Sequence, residues 1–407
     1  MKNRQIHDLI RQAALQSPDA VALIYRQQQV TYGQLQRLVT RLAGQLEQMG
    51  LAPGARVAVY LPKQVATVVA MFAASAAGCV FVPVNPLLKP AQVKLILDGS
   101  QAGVLVTSRQ RADMLDSQLP GCTHLRYLAM LEDTVLELDL DQHTFDGQAS
   151  SLPVPEGLAA ILYTSGSTGL PKGVMLSHYN LLLGAASVNQ YLDISARDRL
   201  LAVLPFSFDY GLNQLISACL AGASLVLMDY LLPRDVIRAV ARYQVTGLAG
   251  IPSLWIQLAA LDWDESSRGS IRYITSSGGV MPVTTSASLR EMLPHADIYL
   301  MYGLTEAFRS TYLPPEQLQA RPDSIGIAIP NAELHLINST GKPCANGEPG
   351  ELVHSGPLVT LGYWNAPDKT AQRYRRLPGS DKLAVGSGDL GRQDAPGYSI
   401  FSVAWTQ

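Results

Sequence analysis

Apolar positions along the chain follow two spacings, one helical and one strand-like. Leu35, Leu38, Leu42 and Leu46 recur every three or four residues, the stripe of an amphipathic helix. Thr31 precedes that stripe with Gln34 three positions on, the spacing of a capping box, and Gly50 marks its end. Residues 56–61 then read as a strand. Residues 65–84 carry no charge over 20 positions, which matches a membrane-spanning length. The stretch is rich in alanine and is interrupted by Thr67, Ser75, Gly78 and Pro83. It therefore predicts a buried helix over about 64–77 running into a buried strand over 80–84.

The same alternation continues. Strand-like runs at 104–107, 159–163, 201–204, 225–228, 247–251 and 271–275 are interleaved with helical patterns at 180–188, 212–220 and 233–243. Strands alternating with helices predict an α/β fold with mostly parallel sheets. Residues 131–156 are acidic and polar and read as a surface connection. From about residue 324 the pattern changes: 333–338 and 350–355 are short strands among Gly and Pro turns, which predicts a smaller β-rich subdomain.

Composition narrows the function. The chain has 407 residues, of which 47% are hydrophobic and 16% charged, with a net charge of -2. It holds no basic field to attract nucleic acid or an anionic membrane, so neither is expected as a partner. Cys79, Cys122, Cys219 and Cys344 are scattered, with no CxxC pair, so neither a zinc site nor a disulfide framework is expected. Scattered thiols and an N-terminus without an apolar signal core fit a cytoplasmic protein.

Four short constellations carry candidate chemistry. The first runs from Tyr163 through Thr164, Ser165, Gly166, Ser167, Thr168, Gly169, Leu170 and Pro171 to Lys172 and Gly173. Glycines let backbone N–H groups approach oxygens, hydroxyls donate, and a lysine supplies counter-charge, so the run suits a nucleotide's phosphates. It is not the common P-loop, because Pro171 stands where that motif needs its second glycine. The second is Met301-Tyr302-Gly303-Leu304-Thr305-Glu306, in which a carboxylate suits Mg²⁺ and an aromatic suits a base; alternatively, Thr305 caps a helix. The third is Ser276-Ser277-Gly278-Gly279, a Gly-Gly turn after a strand. The fourth is Ser387-Gly388-Asp389, whose carboxylate suits a ribose diol, or else makes an Asx-turn.

In order and separation these four resemble the core motifs of the adenylate-forming superfamily: acyl-CoA synthetases, adenylation domains of nonribosomal peptide synthetases, and luciferases. Segments 31–35, 83–86 and 350–352 support the resemblance, which covers essentially the whole chain. It implies an N-terminal domain built from two mostly parallel α/β sheet subdomains and a small β-rich subdomain. It also implies a two-step reaction, in which a carboxylate attacks ATP to give acyl-AMP and a thiol then displaces AMP. By the resemblance, Thr164, Ser165, Gly166, Ser167, Thr168, Gly169 and Lys172 form the phosphate loop. Thr305 and Glu306 act at the phosphates, with Glu306 holding Mg²⁺. Gly278, Gly279, Tyr302 and Gly303 line the adenine, and Asp389 holds the ribose.

The substrate is less sharply marked. Phe208-Asp209 resembles the position where amino-acid-activating domains pair a carboxylate with the substrate's α-ammonium, although Asp209 also suits a helix cap. By motif position Asp209, Tyr210, Asn213, Met301, Arg309 and Ser310 are the substrate-pocket candidates; alternatively, Arg309 pairs with Asp209 in the empty site, which would weaken the amino-acid reading. Residues 306–312 resemble both stand-alone proline-activating ligases that load a carrier protein and acyl-CoA ligases found beside exosortase systems. The expected substrate is proline-like, with carrier-protein phosphopantetheine or coenzyme A as acceptor. The alternatives are a ligase for a non-amino acid and an inactive nucleotide-binding module. The expected domain limits are 1–400 for the AMP-binding domain, with about 324–400 its β-rich part and 401–407 an altered tail. The resemblance places a hinge, a C-terminal domain and a reacting lysine beyond this point. The sequence therefore predicts a chain that binds ATP and adenylates slowly.

Overall fold

A computed structural model describes residues 4–131, 141–150, 152–164, 171–377, 381–394 and 397–404. The chain divides into two compact units. The first comprises Met1–Leu182, Pro205–Asp229 and Leu361–Pro367; the second comprises Leu183–Leu204, Tyr230–Thr360 and Asp368–Gln407.

The first unit is built around a seven-stranded sheet in the order Asp141–Thr144, Tyr127–Met130, Ala102–Thr107, Arg56–Tyr60, Val80–Pro83, Leu158–Thr164, Lys172–Ser177. Its middle strands are parallel and only the two edge strands run antiparallel. Strand Val21–Tyr25 pairs in parallel with Ser224–Leu227 and antiparallel with Gln28–Thr31. The helix read from the leucine stripe is Tyr32–Gln48, and its capping box is complete: Gln34 N donates to Thr31 Oγ1 and Thr31 N to Gln34 Oε1. The uncharged stretch forms a buried helix, Val65–Ala76, and a buried strand, Val80–Pro83. Among the described residues no helix is long and apolar enough to cross a membrane.

In the second unit strands Arg199–Ala202, Gly247–Gly250, Tyr273–Ser276 and Asp297–Tyr302 lie side by side in parallel. Helices Pro233–Tyr243, Pro252–Ala259 and Val283–Met292 connect them, as parallel pairing requires. Beyond Tyr302 every pairing is antiparallel, through Thr311–Leu313, Ser324–Ala328, Ser399–Ala404, Leu383–Gln393, Gly350–Ser355 and Glu333–Ile337. The sheet thus changes character close to the Met301–Glu306 motif.

Candidate functional site

The second unit carries a solvent-open cavity of about 540 Å³ at the C-terminal ends of its parallel strands, where open α/β sheets bind ligands. Ser276, Gly278 and Gly279 reach it from one strand end and Met301, Tyr302 and Gly303 from the next; Asp389 closes the polar side. Gly278 has φ +81, a conformation that disfavours a side chain. Gly279 is exposed, and an added Cβ would meet only Pro252 at 3.4 Å. This turn leaves the backbone open for a flat group to lie against.

Tyr302 and Asp389 are joined directly: the phenol donates to Oδ2 at 2.7 Å. Burial, then the negative charge of Asp389, push the Tyr302 phenol well above its usual value, so it is a donor at neutral pH. Asp389 is not in an Asx-turn. It lies within strand Leu383–Gln393, just after Gly388 at φ +76. Two side chains staple this bend. Gly388 N donates to Glu351 Oε1 at 3.2 Å, and Arg373 donates to the carbonyl of Ser387. Glu351 belongs to the Gly350-Glu351-Leu352 segment, whereas Arg373 carries no sequence signal.

Leu304, not Thr305, occupies the N-cap, and Thr305–Ala307 form one 3₁₀ turn. Thr305 is buried and Glu306 half-buried. Phe308 follows with φ +56 and a fully buried ring. A non-glycine residue in that region carries roughly 1–2 kcal/mol of strain. The ring fits because the neighbouring helix has Gly184 there: a Cβ would lie 2.2 Å from Phe308 Cδ1. The bend returns the chain so that Ser310 N donates to Tyr302 O at 3.2 Å. Arg309 and Ser310 are thereby buried beside the motif that precedes them.

In the first unit, Thr164 and Lys172 are the last paired residues of a hairpin, at the end where the chain passes from one strand to the other. Gly173 is required there, because a Cβ would lie 2.7 Å from Ile161 Cγ2. Lys172 Nζ stands 5.4 Å from the centroid of the Tyr363 ring. Ser165, Gly166, Ser167, Thr168 and Gly169 lie outside the described residues. Helix Asp209–Ala221 carries Asp209, Tyr210 and Asn213, each at most 4% exposed. Phe208 is its N-cap, so Asp209 is the first helical residue and not the cap. Asn213 Nδ2 makes no hydrogen bond among the described residues.

Comparison with known proteins identifies the class. The family model described as "AMP-binding enzyme" matches residues 10–364, and the chain belongs to that family. It is 31% identical over 402 residues to feruloyl-CoA synthase of an Amycolatopsis species, covering 98% of this chain and 78% of that one. It is 33% identical over 361 residues to L-proline--[L-prolyl-carrier protein] ligase of Streptomyces coelicolor, covering 84% and 68%. Among solved structures, VinN matches with a TM-score of 0.83 at 28% identity, covering 98% of this chain and 99% of that one. VinN has also been solved with L-aspartate. The chain spans only 5% of the malpinin synthetase of Mortierella alpina and 7% of a linear gramicidin synthase of Brevibacillus parabrevis, the first of its curated relatives.

Proposed function

We propose that this protein activates a small amino acid, proline or one like it, as its acyl-adenylate and passes it to a thiol on a carrier protein. The observation that carries the amino-acid reading is Asp209, a carboxylate only 4% exposed at the start of a helix. The helix dipole offsets about 0.3–1 kcal/mol of a charge's burial, whereas burying an ion costs several kcal/mol. A substrate ammonium within reach of this carboxylate would add a charge-assisted contact at a position where the resemblance places one. The prolyl-carrier ligase relative and the VinN complex with L-aspartate support the same reading.

In this reading residues 1–400 act as an adenylation domain, with about 324–400 as its β-rich part. Adenine lies against Gly278, Gly279, Tyr302 and Gly303, and the ribose diol donates to Asp389. Thr164, Ser165, Gly166, Ser167, Thr168, Gly169 and Lys172 hold the phosphates of ATP, and Thr305 donates to them. By motif position Tyr210, Asn213, Met301, Arg309 and Ser310 are the candidate substrate contacts. Glu306 is the Mg²⁺ ligand. Among the described residues no group of three metal-binding side chains exists. A lone half-buried carboxylate fits Mg²⁺, which keeps most of its shell as water and phosphate oxygens. When bound, that ion would neutralise phosphate charge as it shifts.

A second reading is a coenzyme A ligase for a non-amino acid, favoured by the likeness to feruloyl-CoA synthase. ATP–pyrophosphate exchange separates the two. Proline and other small amino acids are expected to drive exchange at least tenfold faster than fatty or aromatic acids. Faster exchange with an aromatic acid would select the second reading. ATP binding without exchange on any acid would leave a silent nucleotide-binding module.

A further inference from the structure

Side chains along strand Asp297–Tyr302 alternate between two faces, so Tyr299 and Met301 share one while Leu300 and Tyr302 share the other. Met301 is registered against Tyr312 on the adjacent antiparallel strand. Tyr191, near the end of helix His178–Leu192, lies over this tyrosine-rich face. Its ring stacks on Tyr312 with centroids 4.3 Å apart and planes 10° apart, and stands 6.0 Å from Tyr299. Its hydroxyl donates to Met301 Sδ at 3.0 Å.

Methionine is unbranched and flexible, which makes it a pliable filler in a pocket wall. Here the thioether is gripped by a hydroxyl whose own ring is fixed by stacking. We infer that Tyr191 is a specificity-determining residue: by holding the Met301 thioether on this tyrosine-rich face it fixes the part of the substrate pocket that Met301 supplies, and so sets the size of acid accepted. Tyr191 acts through Met301 and is a positioning residue. The inference rests on the reading of Met301 as a substrate-pocket residue in an adenylating enzyme.

The test is Tyr191→Phe, which keeps the stacked ring and removes only the hydroxyl. One methylene in an apolar pocket is discriminated by about 10- to 200-fold, so homologous acids report the wall's position. ATP–pyrophosphate exchange is measured with proline, azetidine-2-carboxylate and pipecolate. Tyr191→Phe is expected to reduce the kcat/KM ratio between the best acid and its one-methylene homologue by about fivefold or more, with KM for ATP unchanged. Met301→Ala should shift the ratio in the same direction, and the double variant should go no further than Met301→Ala alone. An unchanged ratio in Tyr191→Phe, including one accompanied by a lower melting temperature, overturns the inference, as does strict additivity. A second readout is independent of activity: the ¹³C-methyl signal of Met301, assigned by its loss in Met301→Ala. It should shift or broaden in Tyr191→Phe, and a signal that stays put overturns the inference. If the wild type gives no exchange with any acid, the ligase reading fails and the methyl signal alone decides whether Tyr191 holds Met301.

Discussion

The hydroxyl of Tyr302 donates to Oδ2 of Asp389 at 2.7 Å, tying the end of a parallel strand to a bend 87 residues further along the chain. Tyr302→Phe keeps the ring and deletes the donor. A hydrogen bond to a charged group contributes about 1.5–3 kcal/mol, though the carboxylate here stays partly solvated. KM for ATP is therefore expected to rise about fivefold, with little change in kcat. Steady-state kinetics with ATP varied checks this, and an unchanged KM would remove Tyr302 from the positioning of Asp389.

Gly388 is the pivot of that bend. It has φ +76, and a Cβ there would lie 2.9 Å from Arg373 Nη1. Gly388→Ala should destabilise the protein by about 1–3 kcal/mol and weaken ATP binding through the displaced Asp389. Arg373→Ala, which frees the Ser387 carbonyl, should weaken ATP binding in the same direction. Calorimetric titration with ATP reads both. Wild-type affinity in both variants would mean the bend does not position the carboxylate.

The Phe308 ring occupies space that only a glycine at 184 leaves open, since an added Cβ would sit 2.2 Å from Cδ1. Overpacking of that kind costs about 1–3 kcal/mol. Gly184→Ala is expected to lower the denaturant midpoint by that amount at constant m. It should also disturb Arg309 and Ser310, which follow Phe308. A variant as stable as the wild type would show that the ring has another place to go.

His354 is 2% exposed, and neither ring nitrogen has a hydrogen-bond partner among the described residues. Burial first, then the nearby charge of Arg373, lower it from 6.5 to about 3. The folded protein therefore keeps this ring neutral while the unfolded chain protonates it below about 6.5. Stability should fall as pH drops from 6.5 toward 3, by up to about 1.4 kcal/mol per pH unit for this group. His178, lowered to about 4, adds a similar slope. Denaturation from pH 6.5 to 5 measures this largely apart from the carboxylates. His354→Leu should flatten the slope, and an unchanged slope would contradict the assignment.

Several of these features were legible in the sequence and others were not, for physical reasons. Thr31 and Gln34 announce the helix Tyr32–Gln48 because a capping box is purely local. The strand Asp297–Tyr302, which delivers Met301 and Tyr302, is not legible as a strand, because buried parallel strands show no clean alternation. Asp389 reads as a turn residue from its Ser-Gly-Asp setting, and lies in a strand because pairing with Ala404 of Ser399–Ala404 overrides the local preference. Arg373 and Tyr191 act on residues 14 and 110 positions away, at distances that no spacing rule covers.

The most direct measurement of the central claim compares proline with tetrahydrofuran-2-carboxylate, which has nearly the same shape but no ammonium. If Asp209 reads that charge, proline should drive ATP–pyrophosphate exchange at least about 100-fold faster, because removing one partner of a buried pair costs about 3–5 kcal/mol. Asp209→Ala should erase most of the difference. Equal exchange with the two acids in the wild type would contradict the amino-acid reading.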